Sequence, residues 1–361
     1  MNKIMQGQVI ALFAFDVGYE ISLDKLRALM ATTPVQPLSR KKQTPTYLQY
    51  VKTPQILHLG MVTGHFETQG TIQAMVYDFG AISISYHWSL AQGAGVEMTD
   101  LPRISHSLYN LGLEAQAREQ VETLIKKIEP AITRPNLERL VEDYYMFIIE
   151  KLDEPLKADE LLVQNRSILA QTLRFETSAL SKSLQDEALS QGISYYDNDL
   201  TLIDWNAAII VDRDYEDTAS VLELLNVELL EARYIDWQLD RKIEEFGARV
   251  RKPKDIPVPL RNPYKQAIRE IADLRLESSL LSERVENALK LVGDQYLARI
   301  HSAAARRFYL HEWDRNISRK LDIITDYYEL IKDRIQTAQS QTLEVIIVAL
   351  ILVELIVAFV K

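Results

Sequence analysis

The chain has 361 residues and a formal charge of 41 − 51 = −10, which leaves room for about two domains at ~150 residues each. With 47% hydrophobic and 25% charged residues, the average composition excludes a disordered polyampholyte and a multi-span membrane protein. The excess of acid excludes broad electrostatic binding to nucleic acid, and the absence of cysteine excludes disulfides, thiolate metal sites and thiol nucleophiles.

A first α/β unit is read over residues 1–130. It opens with an apolar stretch at 9–15 that Asp16 ends, a buried strand without the cleavage pattern of a signal peptide or the arginine-rich character of a transit peptide. Ser22 supplies a hydroxyl cap for a short helix over 25–30. Residues 32–45 carry Pro34, Pro37, Pro45 and the run Arg40-Lys41-Lys42, an exposed insertion. Strands follow at 55–67 and 71–86, the second broken by Asp78-Phe79-Gly80, and a helical stretch over 101–128 closes the unit.

A second unit, 131–214, has a comparable order. The aromatic and β-branched run 144–149 leads to a helix over 157–189 and to strands around 193–196 and 200–211. Tyr77-Asp78-Phe79-Gly80-Ala81-Ile82 aligns with Ile203-Asp204-Trp205-Asn206-Ala207-Ala208, and Gly and Asn both tolerate the positive φ of a tight bend. Two explanations stand: an internal duplication of a β-α-β-β-α unit, or two unrelated hairpins.

From 215 to 342 the pattern becomes long helices with heptad spacing. Leu222, Leu225, Leu229, Ala232, Asp236, Leu239, Ile243, Phe246 and Val250 form the first seam, with Asp236 as an acidic interruption. Four prolines within 252–263 break it. A second seam runs from Ile268 to Val292 and a third from Leu310 to Ile335. The simplest way to cover them is an antiparallel, coiled-coil-like hairpin across the Pro-rich turn, extended by the third tract. A continuous helix weakened only at Gly293 is the other arrangement. The fold class is thus α+β: an α/β region, then long helices.

The tail, 343–360, is apolar except for Glu344 and Glu354. Its 18 residues rise about 27 Å, close to the ~30 Å of a bilayer core, so the spacing predicts a single-pass, tail-anchored transmembrane helix. Leu343, Glu344, Val345, Ile346, Ile347, Leu350, Ile351, Glu354, Leu355 and Phe359 would form the anchor, in contact with membrane lipid, with the body in the cytoplasm. Burial of the same helix in an oligomer is the alternative.

The chemistry-bearing residues are sparse. Among His58, His65, His87, His106, His301 and His311 there is no HExxH pair, and Gly93-Ala94-Gly95 lacks the rest of a phosphate loop. No metal or cofactor is expected. Asp78 and Asp204 would pair as carboxylates if the two bends met; capping of their own turns is the plainer role. Arg249, Arg251, Lys252 and Lys254 offer a basic spot for an anionic partner, RNA or ribosome included, or a solvated turn.

Three segments resemble the "required for meiotic nuclear division" family. They are Val76-Tyr77-Asp78-Phe79-Gly80-Ala81-Ile82-Ser83-Ile84; Val292-Gly293-Asp294-Gln295-Tyr296-Leu297-Ala298 with Trp313 and Lys320-Leu321; and Leu343-Glu344 with its aliphatic run broken by Glu354. At the first strand end the family has Trp-Gly where this chain has Tyr86-His87-Trp88-Ser89. The resemblance implies a C-terminal membrane anchor, no established reaction, and a place on a bacterial cytoplasmic membrane. Together these readings give the expected function: a non-enzymatic, membrane-attached scaffold that self-associates with copies of itself and holds a further protein partner. The rivals are an enzyme in the α/β region and a tether for ribosome or RNA.

Overall fold

The computed structural model describes residues 2–30, 35–37, 53–62, 69–91, 95–251, 269, 272, 276 and 295–360. The chain divides into two units, Met1–Glu231 with Glu283–His311, and Ala232–Ser282 with Glu312–Lys361.

The first unit is built on one mixed sheet. Its strands are β1 (Lys3–Asp16), β3 (Val35–Pro37), β4 (Gln55–Val62), β5 (Gly70–Val76), β6 (Ala81–Ser89), β7 (Val96–Glu97), β9 (Val141–Leu152), β10 (Gly192–Ile193), β11 (Leu200–Ile203) and β12 (Ala207–Val211). Their order is β10-β11-β12-β9-β1-β6-β5-β4-β3, with β7 also on β1. A separate ribbon pairs β2 (Gly18–Ile21) with β8 (Ile132–Pro135). β1 lies near the middle, and its apolar run is buried on both faces, as alternation in a covered central strand requires.

Val9, Ala11, Phe13 and Phe15 face one core. That core is closed by α1 (Leu23–Leu29), α2 (Leu101–Tyr109), α3 (Leu113–Ile128), α4 (Ala158–Leu173) and α5 (Lys182–Ala188). Ile10 and Leu12 face the other, closed by α6 (Glu216–Arg251) and α7 (Gln295–Arg307) through Val221, Leu222, Leu225, Ile300 and Ala304. The result is a three-layer α/β/α arrangement.

Several readings of the sequence map directly. Ser22 caps α1, its hydroxyl accepting from the Lys25 amide at 3.4 Å. The helix read over 101–128 is two helices, parted where Gly112 takes φ 66°, and the one read over 157–189 is α4 and α5. The expected halves share one sheet but differ in strand direction: β1 pairs antiparallel with β6, whereas β9 pairs parallel with β12. A duplicated unit would repeat its directions, so the two bends are similar hairpins rather than equivalent points of a repeat.

The second unit joins the far part of α6 to α8 (Leu310–Val360). Ala232 and Leu239 of the first seam bury against Ile317 and Ile324 of the third. Lys320 Nζ lies 2.7 Å from the carboxylates of both Asp236 and Asp240, so the acidic interruption of the heptad is a half-buried partner for a cation. Asp236 faces Lys320 and Gly247 faces Tyr327; both positions advance together, so the two helices run parallel here. The Pro-rich turn, most of the second seam, Gly293, His65, Gly93, Ala94, Lys252 and Lys254 lie outside the described residues.

The C-terminal transmembrane helix is not found, and the anchor, single-pass and membrane-localisation expectations fall with it. Among the described residues no helix is long and apolar enough to cross a membrane. The apolar run is instead the last part of the 51-residue α8. Glu344 and Glu354 interrupt it, and the carboxylate-free stretch between them, 345–353, rises only about 14 Å.

Candidate functional site

The expected Asp78-Phe79-Gly80 motif is a backbone clasp. The Ile21 amide donates to the Asp78 carbonyl at 2.8 Å and the Val17 amide to the Gly80 carbonyl at 2.9 Å. Gly80 has φ 99°, and a Cβ there would overlap the Gly18 carbonyl oxygen, so only glycine fits. Phe79 is buried with its ring centre 5.2 Å from that of Tyr77. The motif thus fastens the β5–β6 turn to the end of β1.

Asp204 does more than cap its bend. Its buried carboxylate lies 2.6 Å from Arg174 Nε and accepts from Arg307 Nε, also at 2.6 Å. Glu187 bridges the same guanidiniums at 2.9 and 3.3 Å, and hydrogen bonds from Arg174 and Arg307 hold its carboxyl below the usual range. The network joins the β11–β12 turn to α4, α5 and α7. Asp78 and Asp204 do not form a pair: β6 and β12 are three strand spacings apart, roughly 14 Å.

Two of the histidines hold local hydrogen bonds. His87 is held by the Ser85 hydroxyl at 3.0 Å, and burial, with His58 nearby, pushes its pKa down to about 4, so it is neutral at pH 7. His106 Nδ1 bonds the Phe175 carbonyl at 2.8 Å. Among the described residues no group of acids and histidines can hold a metal ion. Arg249 and Arg251 sit in the last turn of α6.

Two features were not anticipated. The first is a layer of buried acids between the sheet and α6. Asp16, Glu142, Glu223 and Glu231 are all at least nine-tenths buried, and the Asn226 side chain donates to the Glu142 carbonyl at 3.1 Å. Burial, with Glu138 adding repulsion, raises Asp16 to about 7. Burial also raises Glu223 to about 7, partly offset by the neighbouring Ser83 hydroxyl. Glu231, buried and facing Asp16, is raised well above its ordinary value. Glu223 and Glu231 lie on α6 and Asp16 and Glu142 at strand ends, positions where acids are ordinarily wet; only the packing shows that these are dry.

The second is a cleft of about 230 Å³. It lies between the β10–β11 turn, the segment that follows β12 and the first turn of α7, and it is walled by Tyr195, Tyr196 and Tyr296. The ring of Tyr195 meets that of Tyr196 at 4.7 Å and that of Tyr296 at 5.6 Å, edge to face in both cases. Asp199, Asp212, Asp214, Glu216 and Asp217 line the remainder. The buried Asp199 carboxylate accepts from the Tyr195 and Tyr196 amides, which holds the backbone of the two residues. Burial, with Asp199 and Asp212 close by, pushes the Tyr296 hydroxyl up to about 12, so it remains a neutral phenol. The available signal was Tyr195-Tyr196 followed by the run Asp212-Arg213-Asp214-Tyr215-Glu216-Asp217; Tyr296 comes from about a hundred residues further on.

Comparison with known proteins matches residues 6–218 to the family described as "Uncharacterized protein MJ0711, N-terminal domain". The chain is 27% identical over 245 residues to Uncharacterized protein MJ0711 of Methanocaldococcus jannaschii, covering 67% of this chain and 74% of that one. No solved structure matches. The resemblance to the meiotic nuclear division family is overturned: the matching family is a different one, and nothing in these comparisons links the chain to it. Because the matched region spans the whole sheet and reaches the start of α6, the chain belongs to the MJ0711 N-terminal domain family.

Proposed function

We propose that the protein is a non-catalytic scaffold that associates with further copies of itself through the end of α8. The observation that carries this reading is the exposure of the apolar run. Leu343 is 62% exposed, Val345 68% and Phe359 87%, and Ile346, Ile347, Leu350, Ile351, Leu352 and Leu355 are each about half exposed or more. The thirteen large apolar side chains exposed between Leu343 and Phe359 would together gain on the order of 10 kcal/mol per chain on burial. That is comparable with the cost of bringing two chains together.

α6 ends four residues beyond Gly247, whereas α8 continues 33 residues beyond Tyr327, so among the described residues α8 outruns the helix it pairs with. A second copy offers the same surface. Identical helix ends packed together bury that surface while Glu344 and Glu354, on one side of the helix, stay wet. The heptad stripe nearer the body is already filled within the chain by α6, which leaves the distal run for assembly.

Sedimentation equilibrium on the full chain tests the reading. The native chain should form a defined oligomer, and Ile347→Lys with Ile351→Lys should yield monomers with unchanged helix content. A native chain that is monomeric, or a doubly charged variant that assembles equally well, refutes it.

A further inference from the structure

We propose that the ends of α8 from roughly five or more chains close into a ring, one apolar seam of each helix packing on a second, different seam of its neighbour. The ring rests on the self-association proposed above and adds its geometry. Ile346, Leu350, Val353 and Val357 follow a 4,3,4 spacing, and Val345, Val348, Leu352, Leu355 and Phe359 follow 3,4,3,4. Either set alone is a heptad seam of the kind that holds one partner helix, and every member of both is exposed. At ~100° per residue the two seams point about 150° apart around the helix axis.

A dimer covers one seam and leaves the other bare. A seam of four or five such side chains offers on the order of 400 Å², about half of what one partner contributes to a stable interface. A chain that uses both seams reaches that size. With the helices parallel, seams that each packed on themselves would generate an unending row of chains, whereas one seam packed on the neighbour's other seam closes into a ring. Three helices around an axis have their two contacts about 60° apart and four about 90° apart; about 150° calls for a larger ring. The remaining positions agree. Ala349 and Ile356 fall between the seams, on the side towards the ring axis, and Glu344 and Glu354 fall on the opposite side, towards water. Ile347 borders the first seam and Ile351 the second, so lysines at both disturb both contacts.

Sedimentation equilibrium of the full chain reads the size, and engineered cysteines read the neighbours. The native chain should give a single species of roughly five or more chains. Leu350→Lys on the first seam and Leu352→Lys on the second should each abolish that species with helix content unchanged, although a dimer through either seam would tolerate one of them. The chain has no cysteine of its own. Mild oxidation of the double variant Leu350→Cys with Leu352→Cys should therefore give a ladder of covalent species on a denaturing gel, and either single cysteine variant should give monomers. A native dimer, trimer, tetramer or open-ended series overturns the ring and leaves self-association standing; a native monomer removes both. Cross-linked dimers from a single cysteine variant, or a lysine variant that assembles like the native chain, overturn the contact between unlike seams.

Discussion

Replacing Glu223 by glutamine should leave stability almost unaltered in acid relative to its own offset, and raise it in mild base. Glu223 is buried on α6 beside Ser83, and its charge also helps push the Tyr77 hydroxyl upward, after burial. Its carboxyl rises from 4.5 to about 7 in the folded chain. Between these values the folded state keeps a proton that the unfolded state has released. Stability is therefore full below about pH 4.5 and is lost as pH rises through about 7, by roughly 2.5 × 1.36, or about 3 kcal/mol. Glutamine has no proton to lose, so Glu223→Gln escapes this loss. Its amide carries a fixed cost for burying a new donor, of order 1–3 kcal/mol, but that cost does not vary with pH. The quantity to measure is thus the difference between variant and native unfolding free energies from urea titrations at pH 4.5 and pH 8. It should shift in favour of the variant by about 3 kcal/mol across that interval. A difference that stays constant with pH would show that Glu223 is ionised or solvated in the folded chain.

Three further outcomes follow from the same structure. Asp204→Asn leaves Arg174 and Arg307 facing a neutral amide inside the fold, and should cost about 3–5 kcal/mol in chemical denaturation; a loss under 1 kcal/mol would mean that the network is solvent-compensated. Gly80→Ala forces a side chain against the Gly18 carbonyl at φ 99°, so it should lower stability by more than about 2 kcal/mol, and an unchanged melting temperature would contradict the clasp. His87→Phe removes an imidazole whose pKa falls from 6.5 in the unfolded chain to about 4 in the folded one, so the stability that the native chain loses as pH drops from about 6.5 to 5, roughly 2 kcal/mol, should be absent in the variant, and an unaltered pH profile would contradict a neutral His87.

What the sequence made legible was set by short-range patterns. The run at 9–15 could only be a covered strand, and it is the spine of the sheet. Ser22 announced its helix, and the Asp-aromatic-Gly bend announced a hairpin whose φ only glycine meets. The helical period carried the reading straight across Gly112 because the apolar spacing resumes on either side of it. The apolar tail was read from its summed length, although its two glutamates divide it. The missed features are all long-range. Asp16 and Glu231 stand 215 positions apart in the chain, and Tyr195 and Tyr296 are separated by 101. Nothing local marks an acid on an amphipathic helix as dry. Asp236 shows the same limit: in the heptad it was an interruption, and its reason lies 84 residues away in Lys320.

The placement of the acids also changes what the formal charge means. Counting every carboxylate as ionised gives 41 − 51 = −10. At pH 7 Asp16 and Glu223, with pKa values of about 7, each carry about half a charge, and Glu231, raised well above its ordinary value, is mostly protonated. Protons kept by these three groups make the folded chain less negative than its formal −10. The discarded charge is internal, in the layer between the sheet and α6. The same layer loses its protons as pH rises towards 8, and folding stability falls with them.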